Sequence, residues 1–210
     1  MALDTWLAFF AACWLISLSP GAGAISCMAA GLRYGFRRAF PNIIGLIVGI
    51  MFMLAIVGVG LGAILAASSL AFAIVKWMGV AYLVWVGLAQ WRAPAFAVDA
   101  NAAQAQLGGT PRQLLLKGFL VNATNPKGVL FMLAVLPQFI DPARPQLAQY
   151  LICGVTLTLT DLVVMSGYTA FASRVLRLLR EPHHIRALNR TFGGLFVAAG
   201  AALATFKRVA

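Results

Sequence analysis

Charge is what this sequence has least of: 10% of its 210 residues are Asp, Glu, Lys or Arg, and five of them are acidic. A soluble domain carries about a quarter charged residues, so a water-facing surface cannot be built from this composition. Carboxylate, thiol and imidazole clusters are also lacking within the apolar runs, which offer Asp161 and scattered cysteines. Cys13, Cys27 and Cys153 form no C-x-x-C pair and read as packing residues, not as disulfide partners, metal ligands or redox centres. His183-His184 has no acidic or thiol neighbour to complete a metal site. No nucleophile–base pair or metal motif is present, so neither an enzyme nor a cofactor is expected. The N-terminus lacks a basic n-region, with Asp4 the only charge before Arg33, and its apolar stretch from Thr5 to Met28 exceeds a signal-peptide core. It reads as a retained first span.

What is present is hydrocarbon. At 62% hydrophobic residues and a mean hydropathy of +0.91, the chain reads as an all-α integral membrane protein surrounded by lipid. Its net charge of +11 could point to nucleic acid, but the basic residues sit in short gaps between apolar runs, as membrane-orienting charge does. No nucleic-acid partner is expected. At about 20 apolar residues per crossing, six spans fit: 5–28, 41–66, 69–91, 114–139, 148–172 and 190–206. They make one transmembrane transporter domain over 1–210, with half repeats of about 1–91 and 114–210. The longest gap, about 92–113, is rich in Ala, Gln, Gly and Pro and reads as a cytoplasmic connector.

Two spans are interrupted. In span four, Asn122-Ala123-Thr124-Asn125-Pro126-Lys127-Gly128 puts an amine, amides and a proline near mid-bilayer. A charge there costs a few kcal/mol and usually faces a protected cavity. Asn125-Pro126 reads as an N-cap followed by proline at the first helical position, so a half-helix restarts at Pro126. The alternative is one proline-kinked helix with Lys127 reaching along its neighbours to the interface. In span one, Ser19-Pro20-Gly21 repeats that logic, although Ser19-x-x-x-Gly23 also suits close helix packing. Gly45-x-x-x-Gly49 in span two reads as packing. Lys76 in span three suits snorkelling better than a substrate role, and Tyr82, Trp85 and Trp91 suit an interfacial belt. Span five carries Gly154, Thr158, Asp161, Met165 and Tyr168 on one helical face. That stripe is functional, or else a structural hydrogen bond to a neighbouring helix.

Eleven of the sixteen basic residues fall in or beside the first, third and fifth connections, with five between Arg174 and Arg190. The positive-inside rule places those connections in the cytoplasm and both termini outside. Three spans per half is an odd number, so similar halves would be inverted, with Pro20 and Pro126 at matching places in spans one and four. The expected fold is therefore six transmembrane helices in two inverted three-helix repeats, with helices one and four broken or kinked. Half-helix N-termini and Lys127 favour a carboxylate, and Asp161 suits an ammonium group or a proton. Such a site suits a small zwitterion. The candidate binding residues are Ser19, Pro20, Gly21, Asn125, Pro126, Lys127, Asp161 and Tyr168.

Three groups of residues carry a family resemblance: Ser19-Pro20-Gly21; Lys76-Trp77-x-Gly79-x-x-Tyr82-Leu83; and Asn125-Pro126-Lys127 with Leu136-Pro137-Gln138-Phe139-Ile140. In this order they resemble the LysE/RhtB amino-acid exporters over essentially the whole chain. Leu18 to Ile25, Trp91-Arg92-Ala93 and Gln146-Leu147-x-Gln149-Tyr150 are most similar to the homoserine/homoserine-lactone efflux branch. The wider family often has a second proline where this chain has Ala22. The resemblance implies a bacterial inner-membrane secondary transporter exporting small neutral amino acids, or a derivative such as the lactone, with a proton as coupling partner. The alternative is an exporter of a metal or other cation. Oligomeric state stays open, a homo-oligomer included.

Overall fold

Proline and glycine divide the apolar sequence into its helices. The computed structural model describes residues 1–67, 69–94, 109–141, 143–178 and 181–205. Helix α1 covers Leu3–Leu18 and stops at Ser19, whose extended backbone (φ −70°, ψ 116°) is what a following proline imposes. Helix α2 then runs over Ala22–Ala67. It is two helical stretches joined at Gly35, whose backbone is not helical and whose φ of 72° is the one positive value among the described residues and would strain a side chain. Helix α3 covers Ser69–Arg92.

Helix α4 (Pro111–Ala123) opens on a capping box. Gln113 N–H donates to Thr110 Oγ1 at 3.2 Å, and Thr110 N–H donates to Gln113 Oε1 at 3.1 Å, so two N-terminal donors are satisfied. The chain breaks at Thr124-Asn125 and restarts as α5 (Pro126–Ala134), with Lys127 N–H donating to Asn125 Oδ1 at 3.1 Å. The segments on either side are bent by 51°, so span four is broken and not merely kinked. A 3-10 turn at Leu136–Phe139 leads to α6 (Gln146–Ala170), α7 (Ala172–Leu178) and α8 (Pro182–Thr205). Among the described residues there is no strand. Among the described residues four helices are long and apolar enough to cross a bilayer, five if the bent pair is one span.

Two basic connections are more helical than expected. Arg33, Arg37 and Arg38 lie in α2 on either side of Gly35, not in an open loop. Arg174 and Arg177 lie on α7, and α8 begins at Pro182, so His183, His184, Arg186 and Arg190 are helical too. Charge ends an apolar run without ending a helix, because the backbone bonds are internal while exposed side chains reach water. The expected connector over 92–113 falls largely at 95–108, outside the described residues.

Small residues let the helices approach closely. A Cβ on Gly45 would strike the Leu115 carbonyl, and one on Gly118 the Asn42 carbonyl, so α2 and α4 touch backbone to backbone. Helices α3 and α8 meet reciprocally: a Cβ on Gly87 or Gly193 would lie 2.7 Å from the other residue's carbonyl oxygen. Helix α6 packs against both α1 and α2, and this places Asp161 beside the two broken helices. Cys13, Cys27 and Cys153 are free and fully buried.

Candidate functional site

The two helix breaks open on one cavity of about 50 Å³. Ser17 and Ser19 at the end of α1, Gly21 in the break and Gly23 in α2 form one side. Asn122, Asn125, Lys127 and Gly128 face it from the second break, and Asp161 closes it from α6. Five sequence candidates therefore converge: Ser19, Gly21, Asn125, Lys127 and Asp161. Pro20, Pro126 and Tyr168 do not line the cavity. The prolines shape the breaks, and Tyr168 Oη donates to the Leu18 carbonyl at 2.7 Å, holding the end of α1.

Lys127 and Asp161 share this cavity without pairing directly. Lys127 Nζ donates to the carbonyls of Ser19 at 2.9 Å and Ile16 at 3.1 Å, and lies 5.5 Å from the centre of the Phe196 ring. Those carbonyls form the C-terminal end of α1, where the helix dipole is negative, so the amine caps the half-helix. Ser17 Oγ donates to Asp161 Oδ1 at 3.1 Å. Asp161 is 4% exposed and Ser19 3% exposed, yet Asp161 Oδ2 and Ser19 Oγ have no hydrogen-bond partner. A buried polar group left unpaired costs about 1–3 kcal/mol. Two such atoms lie in this one cavity.

Backbone donors add to it. The first helical bond of α2 joins Ile25 N–H to the Gly21 carbonyl at 3.0 Å, so the amides of residues 22–24 precede the helical ladder. In α5, Asn125 takes the Lys127 N–H, and the next ladder bond joins Val129 N–H to the Asn125 carbonyl at 2.9 Å, leaving the Gly128 amide at the helix mouth. Asn122 is fixed by donation from Nδ2 to the Leu46 carbonyl at 2.8 Å, and Tyr82 Oη donates to the Lys127 carbonyl at 3.4 Å. Lys76 lies elsewhere, with Nζ donating to the Ala204 carbonyl at 3.0 Å.

Ser17 escaped the sequence reading, and Asn122, though part of the interrupted stretch, was not among the candidate binding residues. Ser17 is two residues before Ser19, and on an unbroken helix that spacing points the side chains apart. The break at Ser19 lets both reach one cavity. Asn122 had a usable signal, an amide inside an apolar run three residues before Asn125.

An all-helical bundle of apolar helices with a polar cavity where two chain breaks meet is an arrangement that membrane translocators use. The chain belongs to the LysE type translocator family, whose pattern matches residues 14–206. It is 46% identical to the homoserine/homoserine lactone efflux protein of Salmonella typhimurium, over 99% of both chains. It is 41% identical to an uncharacterized membrane protein of Vibrio cholerae, over 99% of this chain and 100% of that one. A leucine efflux protein of an Enterobacter strain is 28% identical over 97% of this chain and 96% of its own. No solved structure matches.

Proposed function

We propose that this protein exports small neutral amino acids and their derivatives, homoserine, its lactone and threonine among them, across the bacterial inner membrane by secondary transport. The observation that carries the assignment is the pair of buried, unpartnered atoms, Asp161 Oδ2 and Ser19 Oγ, in a cavity that also holds an amine and two half-helix N-termini. A substrate ammonium group would bond Asp161 Oδ2 and Ser19 Oγ. Its carboxylate would take the amides of residues 22–24 and Gly128, with Lys127 turning toward it from the α1 carbonyls. Asp161 would also serve as the site of the coupling proton. Names of the relatives agree with this substrate class, since a homoserine/homoserine lactone efflux protein and a leucine efflux protein stand among them. A cation exporter fits less well, because Asp161 is the only carboxylate among the described residues lining the cavity and an amine lines it too.

The cavity is smaller than any amino acid, with room for a few waters. Loading would require its walls to part, with α1 moving off Lys127. Gly35 would then divide α2 into the second half of span one and all of span two, giving six spans with both termini outside. An inverted repeat is supported by a common offset: Pro20 and Pro126, and the reciprocal pair Gly87 and Gly193, are each 106 residues apart. The test is uptake of labelled homoserine, threonine and homoserine lactone into inverted membrane vesicles. Uptake that depends on the protein and collapses with an uncoupler is expected. Resistance of expressing cells to cadmium, with no vesicle transport of these substrates, would contradict the assignment.

A further inference from the structure

The polar cavity has a larger neighbour. An apolar chamber of about 510 Å³, open along one side where Leu18 and Leu195 are exposed, lies among α1, α3, α5 and α8 and is lined further in by Leu15, Leu83, Phe131 and Phe196 and by the small Ala12 and Ala199. Its size falls within the range of small-molecule pockets, roughly 300–1,000 Å³. The two spaces share a wall: Phe131 lines both, and Ile16 of the polar cavity adjoins Leu15 of the chamber. Lys127 Nζ, which faces the polar cavity, lies 5.5 Å from the centre of the Phe196 ring, a chamber wall. Charged groups that bind an amino-acid headgroup are therefore one side-chain thickness from an apolar space, while the 50 Å³ polar cavity has no room for a side chain.

We propose that the chamber is the side-chain pocket of the transport site, so that the protein handles amino acids with alkyl side chains well beyond homoserine in length. The headgroup stays between Lys127 and Asp161, and the alkyl chain passes Phe131 into the chamber. This rests on the amino-acid function proposed above. Continuity of the walls at Phe131, and the contact of Lys127 with Phe196, favour the substrate's own chain over a membrane acyl chain or a second copy of the protein.

The experiment measures uptake of labelled homoserine into inverted vesicles in competition with unlabelled 2-aminobutyrate, norvaline, norleucine and 2-aminooctanoate. With the chamber in use, the half-inhibitory concentration falls by about fourfold for each methylene moved out of water. Ala199→Phe puts a ring into the chamber in the path of the chain and lowers that slope, since the ring takes part of the space the chain would use. Ala12→Phe, on the opposite wall, does the same and stands in if Ala199→Phe fails to reach the membrane. Homoserine uptake with inhibition independent of chain length would overturn the pocket alone and leave the chamber to lipid or to another copy. So would a slope that both Phe variants retain. No homoserine uptake by the wild type would overturn the transport assignment itself.

Discussion

Gly118→Ala tests the packing that holds the second break in place. The added methyl would be driven into the carbonyl of Asn42, with the Leu46 amide 2.9 Å away. Backbone cannot rotate aside as a flexible side chain can, so α2 and α4 would have to separate by on the order of an ångström, an overpacking cost of about 1–3 kcal/mol. Separation would also stretch the 2.8 Å bond from Asn122 to the Leu46 carbonyl, worth about another 1 kcal/mol. Against this, alanine gains roughly 0.5–1 kcal/mol over glycine in a helix. The net loss is about 1–3.5 kcal/mol, equivalent to a drop in Tm of roughly 2–14 °C for a chain of this size. Purified protein in detergent can be melted beside Gly60→Ala and Gly167→Ala, where the new methyl would meet nothing within 4 Å. Those two should match or exceed the wild type. A Gly118→Ala protein as stable as either control would refute the backbone-to-backbone contact.

Three further outcomes are expected. Pro20→Ala and Pro126→Ala let the broken helices close over the cavity and reduce homoserine export more than membrane abundance; normal export by both would mean that the prolines are tolerated kinks. With both termini outside, a cysteine at Thr110 reacts with impermeant reagent only in inverted vesicles and one at Arg144 only in intact cells; the reverse pattern would overturn the orientation. Gln149 is buried, donates to the Asp141 carbonyl and accepts from the Asp141 N–H, both at 2.8 Å. Gln149→Leu should therefore destabilise by about 1–3 kcal/mol, and an unchanged Tm would show that this turn holds itself.

Both breaks were legible because proline acts locally: it lacks an N–H, fixes its own φ and constrains the residue before it. Asn125 as an N-cap and the Gly45-x-x-x-Gly49 contact could be read for the same reason, since each needs only a few neighbouring residues. Asp161 stood out by its cost in hydrocarbon. What could not be read was who meets whom across the bundle. Lys127 takes its partners from Ile16 and Ser19, 111 and 108 residues away in the chain. Ser17 reaches Asp161 across 144 residues, and Gln149 folds back on a turn that its own helix follows. Backbone carbonyls carry no sequence signature, so an amine capping a half-helix looks, from sequence, the same as an amine awaiting a carboxylate. The helical turns around Arg186 and Arg190 were hidden because hydropathy reports where the apolar run ends, not where the backbone ladder does.

In the proposed site, Lys127 and Asp161 hold opposite ends of one zwitterion. The decisive experiment is vesicle transport of homoserine and its lactone by Lys127→Gln, Asp161→Asn and the double variant, at matched protein levels. A hydrogen bond to a charged group is worth about 1.5–3 kcal/mol, so each single change should cost homoserine transport roughly 10- to 100-fold. The lactone has no carboxylate, so Lys127→Gln should impair it less than homoserine, whereas Asp161→Asn impairs both. The double variant should recover nothing. Near-wild-type homoserine transport by both single variants, or recovery in the double, would contradict the claim and move the substrate site elsewhere.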